Sequence, residues 1–197
     1  MPPEREDTCL MRVIAGTARG VSLQAPRDRL TRPITDRVKE TLFGILGPRV
    51  PEARVLDLYA GSGAIGLEAL SRGAGHATFV ERAAPALGAL RANLERTHLA
   101  DRATVIAGDV LSFLDRDGAL GHDLAILDPP YEERAILAPL QRLAMQMELG
   151  GMVVVKHFWR TPVPEPTGLV QVRVRRFGET TLTFLERTEP DAGEPPE

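Results

Sequence analysis

Apolar and polar positions follow two different periods along this chain. Five apolar runs, "RVLDLY", "ATFV", "ATVIA", "DLAIL" and "MVVVK", are separated by segments whose apolar residues recur at helical or irregular spacing. The spacing predicts a helix over Asp36–Leu46, with Val38, Leu42 and Ile45 on one face. Further helices are predicted over 63–71, 85–97, 110–115 and 133–149, the second with proline in its first turn and the last stopped by Gly150-Gly151. Continuously apolar strands joined by helices imply an α/β fold with a mainly parallel sheet covered on both faces. The stretch "LVQVRVRRFGETTLTFLE" alternates instead, with Val170, Val172 and Val174 before a Phe177-Gly178 turn and Leu182 and Phe184 after it, predicting an antiparallel hairpin. Ahead of the first helix, "MRVIAGTARGVSLQAP" predicts a small hairpin with strands around Gly16 and Gly20. No internal repeat and no linker divides the chain into two full domains.

Composition narrows the class. A length of 197 residues, 43% of them hydrophobic, suits one globular domain with at most a small appendage. The single cysteine, Cys9, excludes an internal disulfide and a Cys-based zinc site, and the four histidines show no metal-ligand spacing, so no metal is expected. No apolar run approaches membrane-spanning length and the first nine residues are polar, so the expected compartment is the cytoplasm. The net charge of −3 hides an asymmetry. Residues 10–49 carry eight basic side chains against three acidic, whereas the closing "ERTEPDAGEPPE" has five acids, one arginine and three prolines. The basic segment is either a nucleic-acid face or a solvated surface.

The candidate chemistry gathers where strands end. Gly61, Gly63 and Gly66 form a G-x-G-x-x-G between a strand and a helix, where backbone amides can meet a nucleotide-like ligand. Such a loop serves a dinucleotide's pyrophosphate, and Glu81 at the next strand end could hold its ribose, so a nicotinamide-dependent oxidoreductase is one reading. Asp57 points elsewhere. A carboxylate four residues before Gly61 faces an amine, which the amino-acid end of S-adenosylmethionine offers and a pyrophosphate does not, or else it fixes the loop's own amides. Asp109 closes the third strand, able to accept from an adenine amine or to cap the helix that begins at Val110. The fourth strand delivers Asp128-Pro129-Pro130-Tyr131 to the same edge. Open α/β sheets bind their ligands at that carboxyl edge.

These residues resemble a known family. "VLDLYAGSGAIGLEALSRGA", "VER" and "DPPY" look like class I S-adenosylmethionine-dependent methyltransferases, the last motif like those that methylate exocyclic amines of bases. "MRVIAGTARG" followed by "TRPITDRVKETLFGIL" is similar to the amino-terminal signature of the RsmD-type enzymes, which methylate a guanine N2 in small-subunit (16S) ribosomal RNA.

The resemblance implies a Rossmann-like class I methyltransferase fold with a seven-stranded sheet and a C-terminal antiparallel hairpin. It implies S-adenosyl-L-methionine as cofactor and ribosomal RNA, within an assembling small subunit, as partner of a monomer. Carried over by position, Asp57, Gly61 and Gly63 lie at the methionine end with Tyr59, Ala60, Ser62 and Gly66 around them. Glu81 with Arg82 lies at the ribose, Asp109 with Val110 at the adenine, and Asp128, Pro129, Pro130 and Tyr131 at the target base. Arg12, Arg19, Arg32, Thr35, Arg37 and Lys39 form the expected RNA face. Ala83 stands where many relatives carry a second acid, and Lys156 and His157 where they often show a glutamate. The expected organisation is a disordered start at 1–10, a hairpin and helix extension at 11–48, the methyltransferase domain at 49–187 and a disordered acidic tail at 188–197. Two other functions share these residues: an adenine exocyclic-amine methyltransferase acting on DNA or RNA, and a non-catalytic ribosome-assembly binder.

The chemistry expected of "DPPY" follows from the base. A ring amine has its lone pair delocalised, so it must be held in line and desymmetrised by acceptors. Asp128 supplies a carboxylate, and the backbone before each proline is held extended with no N–H to compete. Tyr131 is placed to stack on a flipped base.

Overall fold

A computed structural model describes residues 11–26, 34–129 and 134–189. Seven strands, β1 Arg54–Leu58, β2 His76–Glu81, β3 Ala103–Ala107, β4 Leu124–Leu127, β5 Met152–Phe158, β6 Leu169–Phe177 and β7 Thr180–Arg187, form one sheet in the order β3-β2-β1-β4-β5-β7-β6. The first five are parallel, while β7 pairs antiparallel to both β5 and β6. The chain winds outward from β1 to β3 and then returns to the other flank of β1. That reversal lies between β1 and β4, and a crevice opens at such a point outside the carboxyl ends of the strands.

Strand residues alternate between two cores. Val55, Leu124, Ile126, Val154 and Phe184 join one cluster, Leu56, Leu58, Leu127, Val155 and Leu185 the other. The first core is covered by α1 Asp36–Leu46, α2 Ala64–Ser71, α3 Ala84–Thr97 and the amino-terminal segment, the second by α4 Val110–Leu114 and α5 Arg134–Gln146. By the same alternation Asp57, Asp128 and Lys156 fall on the α2/α3 side, each two positions beyond an apolar residue of that core, Val55, Ile126 and Val154.

Local sequence explains the helix limits. The Thr35 hydroxyl accepts from Val38 N at 3.4 Å and starts α1, while the Asp109 carboxylate accepts from Ser112 N at 3.0 Å and starts α4. α5 ends at Gln146, short of the predicted 149, and carries Pro139 in its interior. The predicted amino-terminal hairpin is a single bridge, Arg12 to Ser22, flanked by mutual bonds between Val13 and the backbone of Val21 and Gly20. β6 has a neighbour on one side only, which leaves Val170, Val172 and Val174 between 40% and 49% exposed. Of the segments where disorder is expected, 1–10 and 190–197 lie outside the described residues, while Thr188, the first residue of the expected tail, donates its N–H to Gly168 O at 3.0 Å.

The amino-terminal segment is latched to α2 by one carboxylate. Glu68 is fully buried and accepts from Ile14 N at 2.7 Å, Ala15 N at 3.0 Å, Arg72 Nε at 2.8 Å and Lys39 Nζ at 3.5 Å. Lys39 also donates to the carbonyl of Arg12. Burial lowers its pKa, and the Glu68 carboxylate opposes that shift. Lys39 is therefore no part of an RNA face: with no exposed surface, its ammonium cannot reach a phosphate.

Candidate active site

The loop after β1 is shaped by its glycines. Gly63 caps α2 with φ of +78°, a left-handed conformation that other residues adopt at a cost. A Cβ at Gly66 would stand 2.3 Å from the Phe79 ring and 3.0 Å from Asp57 Oδ2, so only glycine lets α2 pack this closely on the sheet. At Gly61 a Cβ would meet nothing within 4 Å, leaving open space beside the backbone on the edge where a ligand approaches. Asn93 on α3 steadies the loop, donating to Ser62 O at 3.0 Å and exchanging bonds with the backbone of Gln24. This support was not legible in the sequence, where Asn93 is one polar residue on a helix.

Three carboxylates frame the loop. Asp57 is buried and its Oδ2 accepts from Gly66 N at 2.9 Å. Burial raises its pKa from 3.8 to about 8 against the lowering effect of that amide, with Asp128 and Glu81 adding repulsion. Glu81 Oε2 accepts from Gly61 N at 2.9 Å, and its Oε1 accepts from Arg82 N and Ala83 N, each at 2.8 Å. Asp109 caps α4 and stands 3.9 Å from Arg82. Beside Asp109 a cavity of about 500 Å³ is lined by Ile106, Gly108, Phe113 and Arg116 among others. Tyr59 holds φ of +60° at the mouth of the loop and is half-buried.

This set fits one ligand chemistry better than another. A pyrophosphate needs free loop amides, whereas here Glu81 takes the Gly61 amide and Asp57 takes the Gly66 amide. A cationic amine beside Asp57 and ribose hydroxyls beside Glu81 suit the same groups.

At the end of β4, Asp128 meets a residue from the neighbouring strand. Lys156 Nζ donates to Asp128 Oδ1 at 2.7 Å and to Oδ2 at 2.8 Å. The register places Leu127 opposite Val155, so the next position on each strand brings the two side chains together. In the sequence Lys156 stands out as a departure from the family pattern, but nothing there pairs it with Asp128. The charge interrupting an apolar run at a strand's end was its only signal. His157 bonds Thr183 Oγ1 at 2.9 Å, and burial lowers its pKa. Pro129 is described and buried, whereas Pro130 and Tyr131 lie outside the described residues.

On the expected RNA face, Arg19 and Arg37 are exposed, and Arg12 pairs with Asp36 at 3.0 Å. Thr35 is spent on capping α1, and Arg32 lies outside the described residues. Among the described residues no three His, Cys, Asp or Glu gather as metal ligands, and no helix is long and apolar enough to cross a membrane.

Comparison with known proteins shows the family and the fold. The family model described as "Conserved hypothetical protein 95" matches residues 11–186. The chain is 37% identical over 182 residues to the Bacillus subtilis protein YlbH, covering 90% of this chain and 99% of that one. It is 34% identical over 178 residues to the ribosomal RNA small subunit methyltransferase D of Haemophilus influenzae, covering 83% of this chain and 92% of that one. Among solved structures, the Escherichia coli protein yhhF superposes with a TM-score of 0.82 at 32% identity, covering 91% of this chain and 98% of that one.

Proposed function

This chain belongs to the RsmD-type methyltransferase family, and from that premise we propose that it methylates the exocyclic N2 of a guanine in small-subunit ribosomal RNA. The observation that carries the reading is the set Asp57, Glu81, Asp109 and Asp128, placed by four adjacent strands around one glycine loop. S-adenosylmethionine, when bound, supplies an electrophilic methyl group. Asp57 would hold its amine, Glu81 its ribose hydroxyls, and Asp109 with Val110 its adenine. The open space beside Gly61 and the carboxylates around it fit such a ligand.

The chain's own residues orient the acceptor. Each Asp128 oxygen accepts one bond from Lys156 and keeps a lone pair for a hydrogen of the target amine. The Pro129 carbonyl, directed by the proline that follows, offers a second acceptor. With both hydrogens held, the nitrogen lone pair would point at the methyl group that the cofactor would give up from its sulfur, and the amine's surplus proton would be free to pass to solvent. Alignment can supply up to about 7–11 kcal/mol without a metal. Tyr131 would stack on the extruded base, and Arg12, Arg19 and Arg37 with Arg32 would meet phosphates. The extension at 11–48 carries that face, latched by Glu68 to the domain at 49–187. We assign the protein to the cytoplasm as a monomer acting on an assembling subunit.

Thermal shift tests the cofactor assignment: S-adenosylmethionine or its demethylated product raises the melting temperature and NADH does not. Labelled methyl transfer to small-subunit RNA from cells lacking the protein, with mapping of the product, tests the base. Methylation of an adenine, or a shift with NADH alone, overturns the reading.

A further inference from the structure

At the same carboxyl edge, beyond Lys156, an aromatic and arginine cluster has no role in the site just described. The Trp159 ring has the Arg176 guanidinium 4.0 Å and the Arg160 guanidinium 4.6 Å from its centroid. The Phe158 ring lies 6.1 Å away at a tilt of 49°. Trp159 N donates to Glu179 O at 2.9 Å, tying the end of β5 to the turn between β6 and β7. In that turn Arg176 Nε donates to Gly178 O at 2.8 Å, which fixes the guanidinium against the indole. Phe177 beside it receives Arg37 of α1, 6.0 Å from its ring. Arg37 follows Asp36, the partner of Arg12.

Arg160, Trp159 and Arg176 form one cluster at the tip of β5, while Arg37 with Phe177 lies on the other face of β6, Phe177 being the next residue after Arg176. We propose that the cluster of Arg160, Trp159 and Arg176 is a docking surface for single-stranded RNA flanking the target nucleotide. The inference rests on the RNA methyltransferase reading and extends it to a surface that reading does not use.

Charge and chemistry select this occupant. Guanidinium groups pair with phosphates in fork geometry and stack on bases, and an indole offers a face to any base, so their alternation suits a strand without fixed sequence. On β6, the turn after it and the segment before it, the acids are Glu179 and Glu165, against Arg160, Arg173, Arg175 and Arg176 around the cluster. Arg160 and Arg176 are exposed and Trp159 is half-buried, so the cluster is accessible. Position completes the argument. Trp159 directly follows the last residue of β5, three positions beyond Lys156 and so at most about 10 Å from it along the chain, close enough for nucleotides next to a base held at Asp128.

The test compares full-length wild type, Trp159→Ala and the double variant Arg160→Gln/Arg176→Gln. Binding of a small-subunit rRNA fragment is measured between low and physiological salt, and S-adenosylmethionine affinity by calorimetry. Trp159→Ala should weaken RNA binding about tenfold or more, through removal of one stacking platform, with cofactor affinity unchanged. The arginine double variant, whose changes are on the surface, should reduce the salt slope by about 0.7 for each phosphate no longer neutralised. Wild-type RNA affinity and salt slope in both variants would refute the docking surface while leaving the methyltransferase reading intact. Normal binding of naked RNA with activity absent only on assembled particles also overturns it, in favour of a protein partner at this surface. A wild type that binds the cofactor but neither the RNA fragment nor small-subunit particles from cells lacking the protein, at any salt, overturns both readings together.

Discussion

Removing the Lys156 ammonium tests whether Asp128 is held in place by its strand neighbour. Lys156→Met keeps most of the stem that packs along the strand and deletes the charge. With bonds of 2.7 and 2.8 Å, the gross attraction at an effective dielectric constant of about 20 is roughly 6 kcal/mol. Most of it is offset by desolvation, since the Lys156 side chain is only 11% exposed and the Asp128 side chain 31%. A net of about 2 kcal/mol remains, in the range of a bidentate charge-assisted hydrogen bond. The loss should lower the melting temperature by about 4–8 °C for a chain of this size. If the pair also sets the carboxylate's orientation toward the amine, kcat falls by up to about 30-fold while the KM for S-adenosylmethionine stays within about twofold. Lys156→Arg should recover part of the loss. A double-mutant cycle with Asp128→Asn isolates the pair, with an expected coupling of about 1–2 kcal/mol. Coupling indistinguishable from zero, or an unchanged kcat in Lys156→Met, refutes the argument.

Three further outcomes follow from the packing and the charges. Gly66→Ala places a Cβ 2.3 Å from Phe79 and should destabilise the fold by about 1–3 kcal/mol in denaturant titration, because the ring is fully buried and cannot move aside. Lys39→Ala should cost about 3–5 kcal/mol in the same titration by leaving Glu68 short of a buried counter-charge, yet leave the salt slope of RNA binding unchanged, whereas Arg19→Ala should reduce that slope with little loss of stability. Asp57 is protonated more readily in the folded chain than in the unfolded one, so the folded state binds the extra proton between about pH 4 and its pKa of about 8. The stability this group contributes is therefore full below that window and is lost as pH rises through it, by at most about 1.4 kcal/mol per pH unit. Asp57→Asn should remove that slope from a series of melts. Cofactor whose amine meets Asp57 should bind more tightly as pH rises toward 8 in wild type, and a pH-independent affinity would argue that Asp57 serves the Gly66 amide alone.

Much of the fold was legible because the relevant signals are local. Thr35 and Asp109 cap the helices they precede, and apolar strands bounded by glycine loops declare a parallel sheet before any tertiary neighbour is known. The glycine loop and the acids Asp57, Glu81, Asp109 and Asp128 were legible for a related reason. In a parallel sheet every strand end reaches the same edge, so residues distant in the chain are gathered by topology alone. What each acid touches was not. Asp57 and Glu81 both bond loop amides, a pairing that depends on the depth and tilt of side chains.

The sequence by itself determined the α/β class, the order of strands and helices and the edge at which the candidate site residues gather, since these depend on periodicity, caps and turn residues within a few positions. Only the tertiary structure decided which charges are surface and which are structural. Lys39 and Arg37 are two residues apart in one helix, yet one side chain is sealed against Glu68 and the other lies exposed above Phe177. Lys156 meets Asp128, 28 positions away, because β5 lies beside β4 in that register. A side chain's charge is written in its letter, but its partner and its access to water are set by neighbours that the chain brings from elsewhere.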